Sequence, residues 1–158
     1  MPKNKPSRKI TVKKQRLTEA ISALTALQFG PKQRNETAAY TLLALLDLQP
    51  DVSWTTAEAP LRGITPIIDF IAKAYGVRYA PNTRETIRDD AVKFFVTSGL
   101  LLRNPDDSNR PTNSGRTVYQ IEPSALALLR KVGTRDWPTA LKAYLASREG
   151  LTDEMART

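Results

Sequence analysis

Apolar residues recur at helical spacing in several stretches of the chain, and turn residues separate the stretches. Leu17, Ile21 and Leu24 stand four and three residues apart with Ala20 and Leu27 alongside, which predicts an amphipathic helix over 12–28. Gly30-Pro31 breaks it. Asn35 has the chemistry of an N-cap, and the run Thr37-Ala-Ala-Tyr-Thr-Leu-Leu-Ala-Leu-Leu after it is apolar on most sides, so it reads as the central buried helix, ended by Gln49-Pro50-Asp51. Trp54 follows in a Ser/Thr-rich connection. One aromatic without basic neighbours reads as core edge rather than as a stacking platform. Thr65-Pro66 has the form of a helix start; Ile67, Ile68, Phe70, Ile71 and Ala74 carry an apolar face to Tyr75, and Gly76 stops it.

The segment 79–121 is the most informative. Asn82 is placed to cap a helix and Glu85, three residues on, to close a capping box. Ile87, Ala91, Phe94 and Ser98 form one core-facing stripe, and Gly99 suits the left-handed residue that ends a helix, so the spacing predicts a helix over 83–98. The β-rich runs 100–102 and 117–121 flank a polar loop, 103–116, that is far longer than a hairpin turn. Helix, short turn, helix, hairpin is the winged helix-turn-helix order. Pro123 then opens a helix through Leu126, Leu128 and Leu129 to Val132, and Asp136 is placed to cap a last one over 137–147, with Ala140, Leu141, Tyr144 and Leu145 inward. The expected fold is mainly α: a winged helix-turn-helix with extra N- and C-terminal helices and one β-hairpin wing.

At 158 residues and 41% hydrophobic, the chain can bury the core of one domain. It has no cysteine and no histidine, which removes thiolate and imidazole metal sites and the commonest general base. No apolar run is long enough to span a membrane and no signal-peptide core stands at the start, so a soluble, cytoplasmic protein is expected. The net charge of +8 is concentrated at one end. Residues 1–16 hold Lys3, Lys5, Arg8, Lys9, Lys13, Lys14 and Arg16 and no acid; the remaining residues carry 17 basic and 16 acidic side chains, a net of +1. Residues 1–11 are expected to be a disordered basic arm suited to sequence-independent phosphate contact, the bland alternative being a solvated tail. Lys9, Lys13, Lys14 and Arg16 are its candidate contacts.

Stepping 100° per residue from the stripe places Asn82, Glu85, Thr86, Asp89 and Lys93 outward and Arg84 and Arg88 on the flank. Arginine can grip guanine bidentately and asparagine can read adenine. Asn82, Arg84, Thr86, Arg88 and Lys93 are therefore candidates for DNA contact, although capping competes for Asn82 and Glu85. In the wing, Arg103, Arg110, Asn113, Ser114 and Arg116 suit phosphate or minor-groove contact, while Asp106 and Asp107 shape the turn. No Asp or Glu is followed two residues later by Lys, so the acid-x-Lys pair of a magnesium nuclease is missing, and Asp89, Asp90 and Lys93 have the wrong spacing for it. No catalytic or metal-binding residue is expected in this chain.

At Tyr79-Ala-Pro-Asn-Thr-Arg-Glu-Thr-Ile-Arg88, and again at Asn104-Pro-Asp-Asp107, Arg110-Pro-Thr-Asn-Ser114 and Val118-Tyr-Gln-Ile121, the sequence resembles the N-terminal helix-turn-helix domain of BsuBI/PstI-type type II restriction endonucleases. The likeness runs over 12–147. It implies a domain that recognises a double-stranded DNA sequence, 12–150 here, followed in that family by a magnesium-dependent PD-(D/E)xK nuclease domain to which 151–158 would begin the linker. It also implies two-fold pairing of the full-length enzyme on a palindromic site. Where the family tends to basic or polar residues after Arg88, this chain has Asp89-Asp90. Two other readings fit the residues alone: a free-standing winged-helix transcriptional regulator, and a winged helix used for protein contact.

Overall fold

The computed structural model describes the backbone of residues 8–111 and 114–157, and the side chains of 11–111 and 114–148. Helix α1 runs Arg8–Ala26. It starts four residues before the expected position, because neither proline nor glycine stands between Arg8 and Gly30 to prevent it. What was expected to be a disordered arm over 1–11 is therefore helical from Arg8 onward, and residues 1–7 lie outside the described residues. After a short 3-10 turn, Pro31–Gln33, comes α2, Glu36–Leu45. The Asn35 side chain accepts from the Ala38 N–H at 2.9 Å and caps this helix as expected. From Ala38 to Leu45 every residue except Tyr40 is buried, so α2 is the core helix against which α1 and α3 pack.

Helix α3 spans Ile64–Tyr75. It starts ahead of the expected Thr65-Pro66 cap: the N-cap is Gly63, with no side chain to offer, and Pro66 sits within the first turn, where its missing N–H costs nothing. Gly76 ends it at φ +73°. The next helix covers 83–97 in three pieces: α4, Thr83–Thr86; a π-turn, Ile87–Val92; and α5, Lys93–Thr97. In the π-turn the Lys93 N–H bonds to the Arg88 carbonyl, five residues back instead of four. The Asn82 side chain makes no cap hydrogen bond; the first N–H groups go instead to the carbonyls of Ala80, Pro81 and Asn82.

Strands β1, Leu101–Arg103, and β2, Tyr119–Ile121, pair antiparallel with Leu101 opposite Ile121 and Arg103 opposite Tyr119. Arg62 adds a one-residue bridge to the other edge of β2, exchanging both backbone hydrogen bonds with Tyr119 at 3.0 and 2.9 Å. The Arg62 guanidinium reaches the Ala44 carbonyl at 2.6 Å and Asp47 at 2.7 Å and lies over the Phe70 ring. Helix α6 is Pro123–Leu129 and α7 is Trp137–Arg157. Helix α7 continues beyond 147, where it was expected to end, and passes through Gly150, since a helical glycine costs only about 1 kcal/mol and Leu151, Glu154, Met155, Ala156 and Arg157 after it are good helix formers. The stretch 151–157, expected as linker, is thus helical in its backbone. Among the described residues no helix is long and apolar enough to cross a membrane.

Glu122 caps α6, accepting from the Ser124 and Ala125 N–H groups at 3.0 and 2.9 Å. Partial burial opposes its ionisation, but the hydrogen bonds from Ser124 and Ala125 outweigh burial and hold its carboxyl below the ordinary glutamate value of 4.5. The stabilisation is therefore complete above that ordinary value and is lost as pH falls through the lower folded-state value. Glu122→Ala is expected to cost about 1 kcal/mol near neutral pH and less in acid, as measured by denaturant melts at the two pH values.

Candidate nucleic-acid interface

The π-turn decides which way the helix over 83–97 faces. An α-helical period starting from Ile87 and Ala91 buries Phe94; the extra residue in the turn moves the buried position to Phe95, which is fully enclosed and meets Phe29 edge-on at 5.1 Å. The buried stripe is Ile87, Ala91, Val92 and Phe95, and the expected core residue Phe94 is 46% exposed. Ahead of the turn and through its first three residues the residues expected outward are exposed, and so are Arg84 and Arg88, which were expected on the flank. Asn82, Arg84, Glu85, Thr86, Arg88 and Asp89 are exposed, and so is Lys93 beyond it.

Arg84 and Arg88 come together with Ser114, Gly115, Thr117 and Tyr119 of the wing and with Gly63–Pro66 at the start of α3, lining one open cleft of about 450 Å³. Arg84 donates to the Thr65 hydroxyl. Arg88 pairs with Asp89, whose hydrogen bond raises the arginine's pKa, while the arginine in turn holds the Asp89 carboxyl below its usual range. A Cβ on Gly63 would stand 2.9 Å from the Thr117 carbonyl, so only glycine lets α3 begin this close to the wing. The α3 side of the cleft, Gly63 to Thr65, was not among the sequence candidates.

Side-chain hydrogen bonds tie the described residues of the wing together. Asn104, buried at φ +50°, accepts through its Oδ1 from Val118 N–H at 3.0 Å and from Arg110 Nη1 at 2.8 Å. Arg110 also forks onto Asp106 at 3.0 and 3.1 Å, which holds that carboxyl below its usual range, and Asp107 accepts from the Asn109 N–H. The two aspartates shape the turn as expected. Arg110, expected as a wing contact to DNA, has its guanidinium engaged inside the wing by Asn104 and Asp106 and so staples the loop. Arg103 and Arg116 are exposed, Ser114 is half-buried and accepts from the Arg116 N–H at 3.0 Å, and Asn113 lies outside the described residues.

The α1 candidates divide. Lys14 is exposed. Lys13 is half-buried with its amine beside Gly76, at the C-terminal end of α3 that favours a cation. The side chain of Lys9 lies outside the described residues. Arg16, expected among the phosphate contacts, is engaged within the domain. It binds Glu19 and the carbonyls of Pro50 and Val52 and lies 5.9 Å from the Trp54 ring centroid, so it faces the body of the domain. Trp54, buried as expected, donates to the same Glu19 carboxylate at 2.8 Å. A helical projection assigns Arg16 to the basic first turn because, apart from Glu19, its partners Pro50, Val52 and Trp54 stand more than thirty residues away.

Magnesium requires converging carboxylates, and among the described residues no three acidic side chains are grouped to hold a metal ion. These residues do not fit that ion.

The family model described as the BsuBI/PstI restriction endonuclease HTH domain matches residues 14–153. The chain is 42% identical over 139 residues to the type II restriction enzyme BsuBI of Bacillus subtilis, a match that covers 88% of the chain and 44% of that protein. It is 38% identical over 133 residues to the type II restriction enzyme AplI of Arthrospira platensis, covering 84% of the chain and 41% of that protein. Among solved structures, the SdaI restriction endonuclease superposes with a TM-score of 0.77 at 31% identity over 80% of this chain and 40% of that one. The chain thus spans less than half the length of the curated relatives it matches.

Proposed function

Since the chain belongs to the family of BsuBI/PstI restriction endonuclease HTH domains, we propose that it is the part of a type II restriction endonuclease that reads a sequence in double-stranded DNA. The observation that carries this reading is the cleft in which Arg84 and Arg88 face the wing. A recognition helix entering the major groove presents its N-terminal turns to base edges, and both arginines stand there, while the wing reaches the neighbouring backbone. Arg103 and Arg116 of the wing and Lys14 of α1 are the exposed cations that would neutralise phosphates; Asn82, Thr86 and Lys93 flank the arginines. In this reading, magnesium-dependent cleavage and any two-fold pairing on a palindromic site belong to the longer enzyme. The free-standing regulator gains nothing specific from the geometry.

The test is binding to duplex DNA across a salt series, with a randomised library to find the preferred sequence. Affinity is expected to fall log-linearly with salt, with a slope of about −0.9 per phosphate neutralised. Arg84→Ala and Arg88→Ala are each expected to remove roughly 1–3 kcal/mol of discrimination at one base pair. Undetectable binding at low salt overturns the proposal.

A further inference from the structure

Consecutive residues on an α-helix point about 100° apart, and their side chains do not face each other. Arg88 and Asp89 nevertheless meet, with Nε to Oδ1 at 3.0 Å and Nη2 to Oδ2 at 3.5 Å. Both belong to the π-turn, whose wider winding rotates successive residues less. The turn is also held from outside. Gln33, buried between α1 and α2, donates its Nε2–H to the Asp90 carbonyl at 2.8 Å. The Arg88 and Asp89 side chains are both more than half exposed, and an ion pair so exposed contributes little to folding, so stability does not explain an acid on the face that presents the arginines.

We infer that Asp89 is a positioning residue that sets the specificity of Arg88, an inference that rests on the DNA-reading proposal above. The carboxylate takes the Nε side of the guanidinium. Nη1 and the remaining N–H of Nη2 stay free, and these form the end-on fork that matches the O6 and N7 acceptors of a guanine. Without Asp89 the long arginine side chain would sweep the cleft and accept a phosphate as readily as a base. The negative charge also repels the DNA backbone, so it penalises complexes in which Arg88 finds no base to pay for that repulsion. Asp89 therefore trades overall affinity for selectivity.

The preferred duplex selected by the unaltered chain, and its single-base variants, serve as probes for Asp89→Ala, Asp89→Asn, Arg88→Ala and the double substitution Arg88→Ala/Asp89→Ala. Asp89→Ala is expected to tighten binding to unselected duplex and to reduce the preference at one base pair roughly tenfold, with an unchanged melting temperature. Asp89→Asn, which keeps an oxygen for the Nε–H, should retain part of that preference. In the Arg88→Ala background, removing Asp89 should leave the preference unaltered, because there is nothing left to orient. Preference unchanged in Asp89→Ala, or an effect of full size persisting without Arg88, overturns the inference while leaving the DNA reading intact. An unaltered chain that selects no sequence overturns the DNA reading and this inference with it.

Discussion

Phe95→Ala is expected to cost about 3–5 kcal/mol of folding stability, and Phe94→Ala less than about 1 kcal/mol. The two phenylalanines are neighbours in sequence, but Phe95 is enclosed and packed edge-on against Phe29, while Phe94 keeps nearly half its surface. Truncating Phe95 leaves a void that the fully buried side chains around it cannot close. Urea denaturation midpoints of the two variants provide the measurement. Reversed costs would mean that the helix over 83–97 is α-helical throughout, with Phe94 in the core, and that the π-turn is absent.

The second large effect is expected at Arg16→Ala, at about 2–4 kcal/mol, toward the lower end of the cost of breaking a buried ion pair because Glu19 keeps some contact with water. The loss has several parts. Glu19 keeps its bond to the Trp54 indole but loses its cation, and the Pro50 and Val52 carbonyls lose their donor. The same variant, measured at a temperature where it remains folded, should leave the salt dependence of DNA binding unaltered. Lys14→Ala should do the reverse, reducing the slope by about 1 with little change in stability. If Arg16→Ala lowers the slope and leaves the denaturation midpoint alone, its side chain serves DNA rather than the fold.

These two sites show where the sequence was legible and where it was not. Local chemistry was readable: the Asn35 cap, the left-handed Gly76 and Gly99 at helix ends, the hairpin and the buried α2 all follow from residues a few positions apart. The placement of Arg84 and Arg88 away from the core was also readable, although as flank and not as outward face, because both lie ahead of or at the start of the π-turn. Beyond it the 3.6-residue period fails. The pattern of apolar residues over 87–95 fits both windings, and the choice falls to Phe29 and Gln33, side chains from another part of the chain. Arg16 looks like a free cation for the same kind of reason, since Pro50, Val52 and Trp54 come from another part of the chain; Arg110 is held by Asn104 and Asp106 only six and four residues away, but a loop without a periodic pattern does not show that they meet. The missing Asn82 cap is a subtler case: a turn of backbone hydrogen bonds over 80–85 does the work assigned to its side chain.

Arg62 carries a consequence for stiffness. Its backbone extends the wing sheet through Tyr119, its guanidinium is fastened to the end of α2 through Ala44 and Asp47, and its charge rests on Phe70 of α3. The base of the wing and the helix pair are thus riveted through one side chain, and the wing cannot swing from its root without breaking both polar contacts. Amide hydrogens at Arg62 and Tyr119 should accordingly exchange as slowly as those of the core helix, with faster exchange beginning only past Asn104. Bending against DNA would then fall to the tip of the wing and to the DNA itself, and the distance from recognition helix to wing root would act as a fixed ruler along the duplex.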